Sequence, residues 1–307
     1  MSDNFSVSLV IPCFNAEIFI KPVIDSVLQQ TRKPDEIIVI DDGSIDNTRK
    51  LVGQFPGVRL IAHPTNLGIA AARNTAIAQA QGEIIVFLDA DAIAAPVYIE
   101  EIIAPFSRQN VAGVNGRALE VVQKNIYDKW RREVLFQEWG DNFRAEVFFL
   151  FGMCAAYRKE ALAQVGGFDE LFRTSGEDMD ISFRLRKLGY LLAYNPEALV
   201  YHQRQDSAQT IKKMTFRHCF WGFLAQKKNK CFQNKLTVWQ SAFVLVRQLF
   251  YDGLLKGNLR FALLSLQLHA VIGRAWLAAR RTDLAAAAAE TGKVGHHNYE
   301  WEGHGKK

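Results

Sequence analysis

The sequence predicts an α/β protein built on a doubly wound, mostly parallel sheet with helices on both faces, followed by a helical C-terminal appendage. Three observations carry that expectation. Between residues 7 and 106, short runs of Val, Ile and Leu alternate with segments of helical period. Those runs are apolar at nearly every position, as strands covered on both faces must be. Beyond residue 206 the composition shifts to basic and aromatic residues.

Taken in order, "VSLVIP" from Val7 reads as a strand and "EIFIKPVIDSVLQQ" as an amphipathic helix. "DEIIVIDDGS" is a strand, "DNTRKLVGQF" a helix, "VRLIAHP" a strand, "GIAAARNTAIAQA" a helix and "GEIIVFLDAD" the fourth strand. Ligands of such sheets lie at the carboxyl ends of the strands. Here the first strand runs into Pro12 and Asn15, the second into Asp41 and Asp42, and the fourth into Asp89 and Asp91, so three strand ends converge on one edge.

Residues 107–205 are less regular. A strand is expected near "AGVNGRALEVV" and a helix over "NIYDKWRREVLFQEW"; Gly166, Gly167 and Gly176 punctuate turns. A helix opening at Glu177 and Asp178 has Ile181, Leu185 and Leu188 at helical spacing. Two acids in its first turn complement the helix dipole, worth up to about 1 kcal/mol. Trp130, Trp139 and Phe143 either stack on a bound ligand or pack as core or interface residues.

At 307 residues, 49% of them hydrophobic, the chain can bury a large core. The four cysteines have no paired spacing of the metal or redox kind, which fits a reducing compartment. No basic stretch followed by a long apolar one opens the chain, so no signal peptide is expected and the protein is placed in the cytoplasm. Arg247, Asp252, Lys256, Arg260 and Arg274 interrupt the apolar C-terminal region short of the roughly 18 uncharged residues a spanning helix needs.

Between Asp206 and Asp252 there is no acidic residue, while eight Lys and Arg interleave with eight Phe and Trp. That pattern suggests a peripheral surface on anionic lipid at the inner membrane face. The other reading packs the same aromatics into the appendage's own core or an oligomer interface. Nucleic acid is not an expected partner, since no binding motif is present. Residues 206–290 are expected to be the helical region and 291–307, with His296, His297 and His304, a disordered polar tail.

Asp89 and Asp91 in "FLDAD" have several chemical explanations: a divalent cation, ion pairing, acid–base chemistry, or plain solvation. At a junction of three strand ends, such carboxylates hold Mg²⁺ or Mn²⁺ while substrate phosphates fill the remaining positions. Arg73, in "NLGIAAARN", adds a planar cation suited to carboxylate or phosphate.

Together "VSLVIPCFNAE", "VIDDGSIDNT", "NLGIAAARN", "GEIIVFLDADAIAAP", "GGFDE" and "GEDMDISFRLRKLGY", in this order, resemble a family 2 glycosyltransferase with the GT-A fold over residues 6–205. The resemblance implies a nucleotide-binding half, 1–106, and an acceptor half, 107–205. It implies inverting transfer from a nucleoside diphosphate sugar, UDP-sugar favoured, to a hydroxyl of a glycan or lipid-linked acceptor, with Mn²⁺ or Mg²⁺ as cofactor. Carried over by position, Pro12 and Asn15 lie along the nucleotide, Asp42 recognises the base, and Asn66 and Arg73 border the pocket. Asp89 faces the ribose or the outer shell of the metal, Asp91 binds the metal and His202 completes the site. Gly152 floors the donor-sugar pocket, Asp178 is the general base and Glu177 orients it or contacts the acceptor.

His202 has a structural or surface role as its other reading. The "QxxRW" block of polysaccharide-extruding members is absent, which favours transfer of a single sugar. A sugar-nucleotide-forming enzyme would need a glycine-rich basic loop that "IPCFNAE" lacks. A catalytically silent scaffold would be expected to have lost one of Asp42, Asp89, Asp91 or Asp178, and all four are present.

Overall fold

The computed structural model describes residues 5–135, 137–231, 245–247 and 249–291. Trp239 and Phe243 of the basic-aromatic stretch, and the tail beyond Thr291 with its three histidines, lie outside the described residues. The chain divides into two compact units, residues 1–123 with 135–204, and residues 124–134 with those from 205 onward.

The first unit is an eight-stranded sheet. Its strands are β1 (Val7–Cys13), β2 (Glu36–Asp41), β3 (Val58–Ala62), β4 (Ile84–Leu88), β5 (Ala92–Ala94), β6 (Val111–Glu120), β7 (Cys154–Arg158) and β8 (Leu191–His202), in the order β3-β2-β1-β4-β7-β6-β8-β5. Parallel pairing joins β3, β2, β1 and β4, and also β6 with β8, while β7 runs antiparallel to both β4 and β6. The expected mostly parallel sheet is therefore present, with antiparallel insertions at β7 and β5.

Helices α1 (Ile20–Leu28), α2 (Thr48–Val52), α3 (Ile69–Gln79), α4 (Tyr98–Ile103), α6 (Lys159–Gln164) and α7 (Glu177–Lys187) accompany the sheet, and α5 (Ile126–Val134) belongs to the other unit. Two buried clusters reflect the alternation of side chains along each strand. Leu9 and Ile11 of β1 face one cluster with Val23, Val27 and Tyr98, whereas Val10 faces the other with Ala72, Phe87 and Ile181. Leu9 and Ile11 are fully buried, so truncating either to Ala costs about 2–5 kcal/mol.

After β3 the chain crosses back to place β4 on the far side of β1, which makes β1/β4 the switch point of the sheet. The β1–β4 ladder ends at Val10–Phe87, while β1 continues beside β2 to Cys13. Pro12, which has no N–H to donate, lies beyond the β4 contact and is tolerated there. The two strands no longer pair beyond that point, where a sheet of this kind has its ligand crevice.

The helix expected through Trp139 stops at Val134, because Gln137 forms a bridge with Ala118 and Glu138 pairs with Arg117. Trp130 of α5 is fully buried in the second unit, its indole Nε1–H donating to Ser265, so it is a core residue. The other helices of that unit are α8 (Ala208–Lys228), a π-helical turn at Leu249–Leu255, α9 (Leu259–Arg281) and α10 (Leu284–Thr291). A capping box between Ser207 and Thr210 starts α8. Among the described residues α9 alone is long and apolar enough, by length and composition, to cross a membrane, despite Arg260 and Arg274.

Candidate active site

One wall of the crevice is set by strand register. β5 pairs antiparallel with β8 so that Ala92 lies opposite His202, and β6 runs parallel to β8 so that Glu120 lies opposite the same histidine. The imidazole is thus flanked by two carboxylates. Its Nδ1 is 2.8 Å from Glu120 Oε1 and its Nε2 is 3.3 Å from Asp91 Oδ2. Burial alone would lower the His202 pKa, but hydrogen bonds to both acids outweigh it and raise it to about 9. Burial tends to raise Asp91, yet His202 and the nearby Arg204 hold it below the usual carboxylate range.

These residues fit a divalent cation. Two ligands at right angles, each about 2.1 Å from one octahedral ion, stand about 3 Å apart, close to the observed Asp91–His202 spacing. With Nδ1 directed at Glu120, Nε2 is the nitrogen that would ligate once a cation displaced the proton it shares with Asp91, the usual arrangement behind a metal-bound histidine. A carboxylate with an imidazole suits Mn²⁺. Among the described residues no group of three or more His, Cys, Asp or Glu is placed to hold a metal, so further ligands would come from the substrate. Asp89 lies one step back, its N–H bonded to Met153 and its carboxylate 3.5 Å from Arg73. Although a third of its side chain is open, the recess around it raises its pKa to about 6, against the pull of Arg73.

The first turn of α7 supplies the other acids. It begins at Gly176, whose φ of +86° suits a residue without a side chain. Asp178 is partly exposed; its Oδ2 accepts the Gly152 N–H at 2.9 Å and its Oδ1 the Met179 N–H at 2.7 Å. Glu177 is buried, and its Oε1 accepts from Arg73 Nη1 at 2.5 Å. Burial raises the pKa of both acids, and the Arg73 guanidinium opposes that rise. Asp180, fully buried, pairs with Arg184 and serves the helix.

Several expected site residues have protein partners. Asp42 accepts the N–H groups of Leu67 and Gly68 at 2.9 and 2.8 Å and contacts His63 Nδ1 at 2.7 Å, so it holds the loop leading into α3. Asn15, at φ +51°, accepts from Ile45 N–H, and its own N–H donates to Ser44, tying the β1 and β2 ends together. Asn66 has an exposed side chain, and its carbonyl accepts from Arg173. Arg73, expected at the pocket rim, is only 3% exposed. Gly152, expected at the donor-sugar pocket, lies against Arg73: a Cβ there would be 2.7 Å from both guanidinium Nη atoms.

Sequence reasoning passed over Glu120, His63 and Asn115. Asn115 donates to the carbonyls of Phe151 and Cys154 and accepts the Phe151 N–H, pinning the segment that supports Asp178. A lone acid closing the "AGVNGRALE" strand was the available signal for Glu120. Of the aromatics read as stacking platforms, Trp139 packs against Phe149 and Phe151, and Phe143 lies exposed beside Arg108.

Comparison with known proteins places this geometry. The sequence model described as "Glycosyl transferase family 2" matches residues 8–166. The chain is 31% identical over 235 residues to the O-antigen chain rhamnosyltransferase WbaN of Salmonella anatum, covering 70% of this chain and 73% of that one. It is 30% identical over 213 residues to the N-acetylglucosaminyl-diphospho-decaprenol L-rhamnosyltransferase of Mycobacterium tuberculosis (strain CDC 1551 / Oshkosh), covering 58% and 69%. Among solved structures it resembles a mannosyltransferase of Pyrobaculum calidifontis in complex with GDP-Man and Mn²⁺, with a TM-score of 0.59, 20% identity and coverage of 94% and 87%. That likeness speaks to the fold, the GT-A arrangement. With the family's sequence model spanning β1 to the end of α6 and the acids of "DAD" and "GED" on one crevice, the chain belongs to glycosyl transferase family 2.

Proposed function

We propose that this glycosyltransferase moves one sugar from a nucleoside diphosphate sugar, UDP-sugar first among donors, to a hydroxyl of a lipid-linked or cell-envelope glycan. Transfer inverts the anomeric carbon and takes place at the cytoplasmic face of the membrane. The observation that carries the reading is Asp178: a partly open carboxylate, braced by two backbone N–H groups, on a different chain segment from Asp91 and His202. An inverting displacement needs its base on the face opposite the leaving group. Asp178 takes the acceptor hydroxyl proton as the new glycosidic bond forms and the bond to the diphosphate breaks. Asp91 and His202, oriented by Glu120, would hold Mn²⁺ or Mg²⁺. A cation bound there supplies positive charge where the leaving diphosphate gains negative charge.

Membrane presentation of the acceptor is supported by α9. Leu259, Leu263, Leu266, Ala270, Gly273 and Leu277 recur at three- and four-residue intervals and are all exposed, forming an apolar stripe with Arg260 and Arg274 beside it. From Ser207 to Thr282 the chain has 13 Lys and Arg against one Asp. An apolar stripe in basic surroundings matches an anionic lipid surface. A second copy of the chain is the competing occupant.

Transfer assays with UDP-, GDP- and dTDP-sugars in Mn²⁺ or Mg²⁺ test the chemistry; failure to bind or turn over any of them sinks the reading. For the surface, Leu263→Ser with Leu266→Ser is expected to lower sedimentation of the full chain with phosphatidylglycerol vesicles at least tenfold. A change of oligomeric state with unchanged sedimentation would assign the stripe to self-association.

A further inference from the structure

The Arg73 guanidinium joins three pieces of the crevice. Its Nη1 donates to Glu177 Oε1 at 2.5 Å, its Nη2 donates to the Gly152 carbonyl at 2.8 Å, and Nη2 is 3.5 Å from Asp89 Oδ1. The Phe87 and Phe168 rings, packed edge to face, lie together beside it, with centroids 5.4 and 5.5 Å from its central carbon. Asp89 follows β4, which leads to the cation side; Glu177 opens the helix that carries Asp178; Gly152 supplies the N–H that braces Asp178. Arg73 therefore touches both the residue before Asp178 and the peptide whose N–H braces it, while the Met179 N–H holds Asp178 independently.

We infer that Arg73 is a positioning residue that fixes Asp178 relative to Asp89, and that position 152 lacks a side chain in order to admit the Arg73 guanidinium, not the donor sugar. At 3% exposure the guanidinium is enclosed by protein groups, with Glu177, Gly152 and Asp89 at its nitrogens and the two phenyl rings close to its central carbon. A planar fork spans Glu177, Gly152 and Asp89 together, which the single ammonium of lysine does not. Any Cβ at 152 displaces that fork, since it meets Nη1 and Nη2 at 2.7 Å. The displacement reaches Asp178 twice, through Glu177 in the preceding position and through the Gly152 N–H.

This inference rests on glycosyl transfer with Asp178 as proton acceptor. The test compares full-length wild type, Arg73→Lys, Gly152→Ala and the double variant, using UDP-glucose, dTDP-rhamnose or GDP-mannose as wild-type turnover selects. Donor affinity is read by calorimetric titration with Mn²⁺, and kcat and KM by transfer. Each single change is expected to lower kcat on the order of 100-fold, the scale of a 1 Å misplacement, with donor affinity within about threefold of wild type. The double variant should be no slower than Gly152→Ala, because both changes break one contact. Loss of donor affinity with kcat kept in Gly152→Ala would return that position to the sugar pocket and overturn the inference, as would fully additive losses. A wild-type chain that transfers no sugar would instead overturn the parent reading.

Discussion

Glu177 and Asp178 are chemically alike neighbours with opposite surroundings. The first is sealed against Arg73, and the second is partly open and held by backbone donors, which leaves it able to meet an acceptor. Proton acceptance needs the carboxylate form, and burial favours the neutral form. Activity should therefore rise with pH through a titration lying above the ordinary carboxylate value of about 4. Asp178→Asn is expected to lose on the order of 10²–10⁴ in kcat and the acid limb with it, while keeping donor binding; a variant that retains the limb would move the base elsewhere. Glu120→Gln frees the His202 ring, so the Mn²⁺ concentration needed for nucleotide binding should rise about 10–100-fold, measured by titration without turnover.

Elements place these residues through register more than through propensity. The β5–β8 ladder brings Asp91 to His202, and the β6–β8 ladder brings Glu120; a slip of one residue would turn each partner to the other face. In the second unit, α5 and the start of α8 are joined by a buried pair, Arg131 with Asp206, both almost wholly out of water. Asp206→Asn would leave the Arg131 charge without its closest ionic partner. It should cost about 3–5 kcal/mol, read from denaturant unfolding of the full chain. A cost below 1 kcal/mol would mean that the remaining partners of Arg131 suffice.

Over the whole molecule charge is divided unevenly. The net charge of +5 combines +12 in residues 207–282 with −7 in the remainder. Vesicle binding driven by that basic stretch should therefore weaken steeply between 0.05 and 0.5 M salt, about where the Debye length becomes shorter than a side-chain contact patch. Binding independent of salt would leave the apolar stripe of α9 as its cause. The family resemblance, the parallel strands and the acids at their ends were legible because short-range pattern carries them: apolar runs of strand length, and carboxylates where such runs stop. Sequence alone thus determined the sheet and the strand ends that carry Asp42, Asp89 and Asp91. Tertiary structure alone decided that Asp42 holds a loop, that Glu120 meets His202, and that Gly152 lies against the Arg73 guanidinium. Arg73 meets Glu177 and Gly152 across 104 and 79 positions of chain. Contacts that distant depend on strand order and register, which local periodicity does not encode.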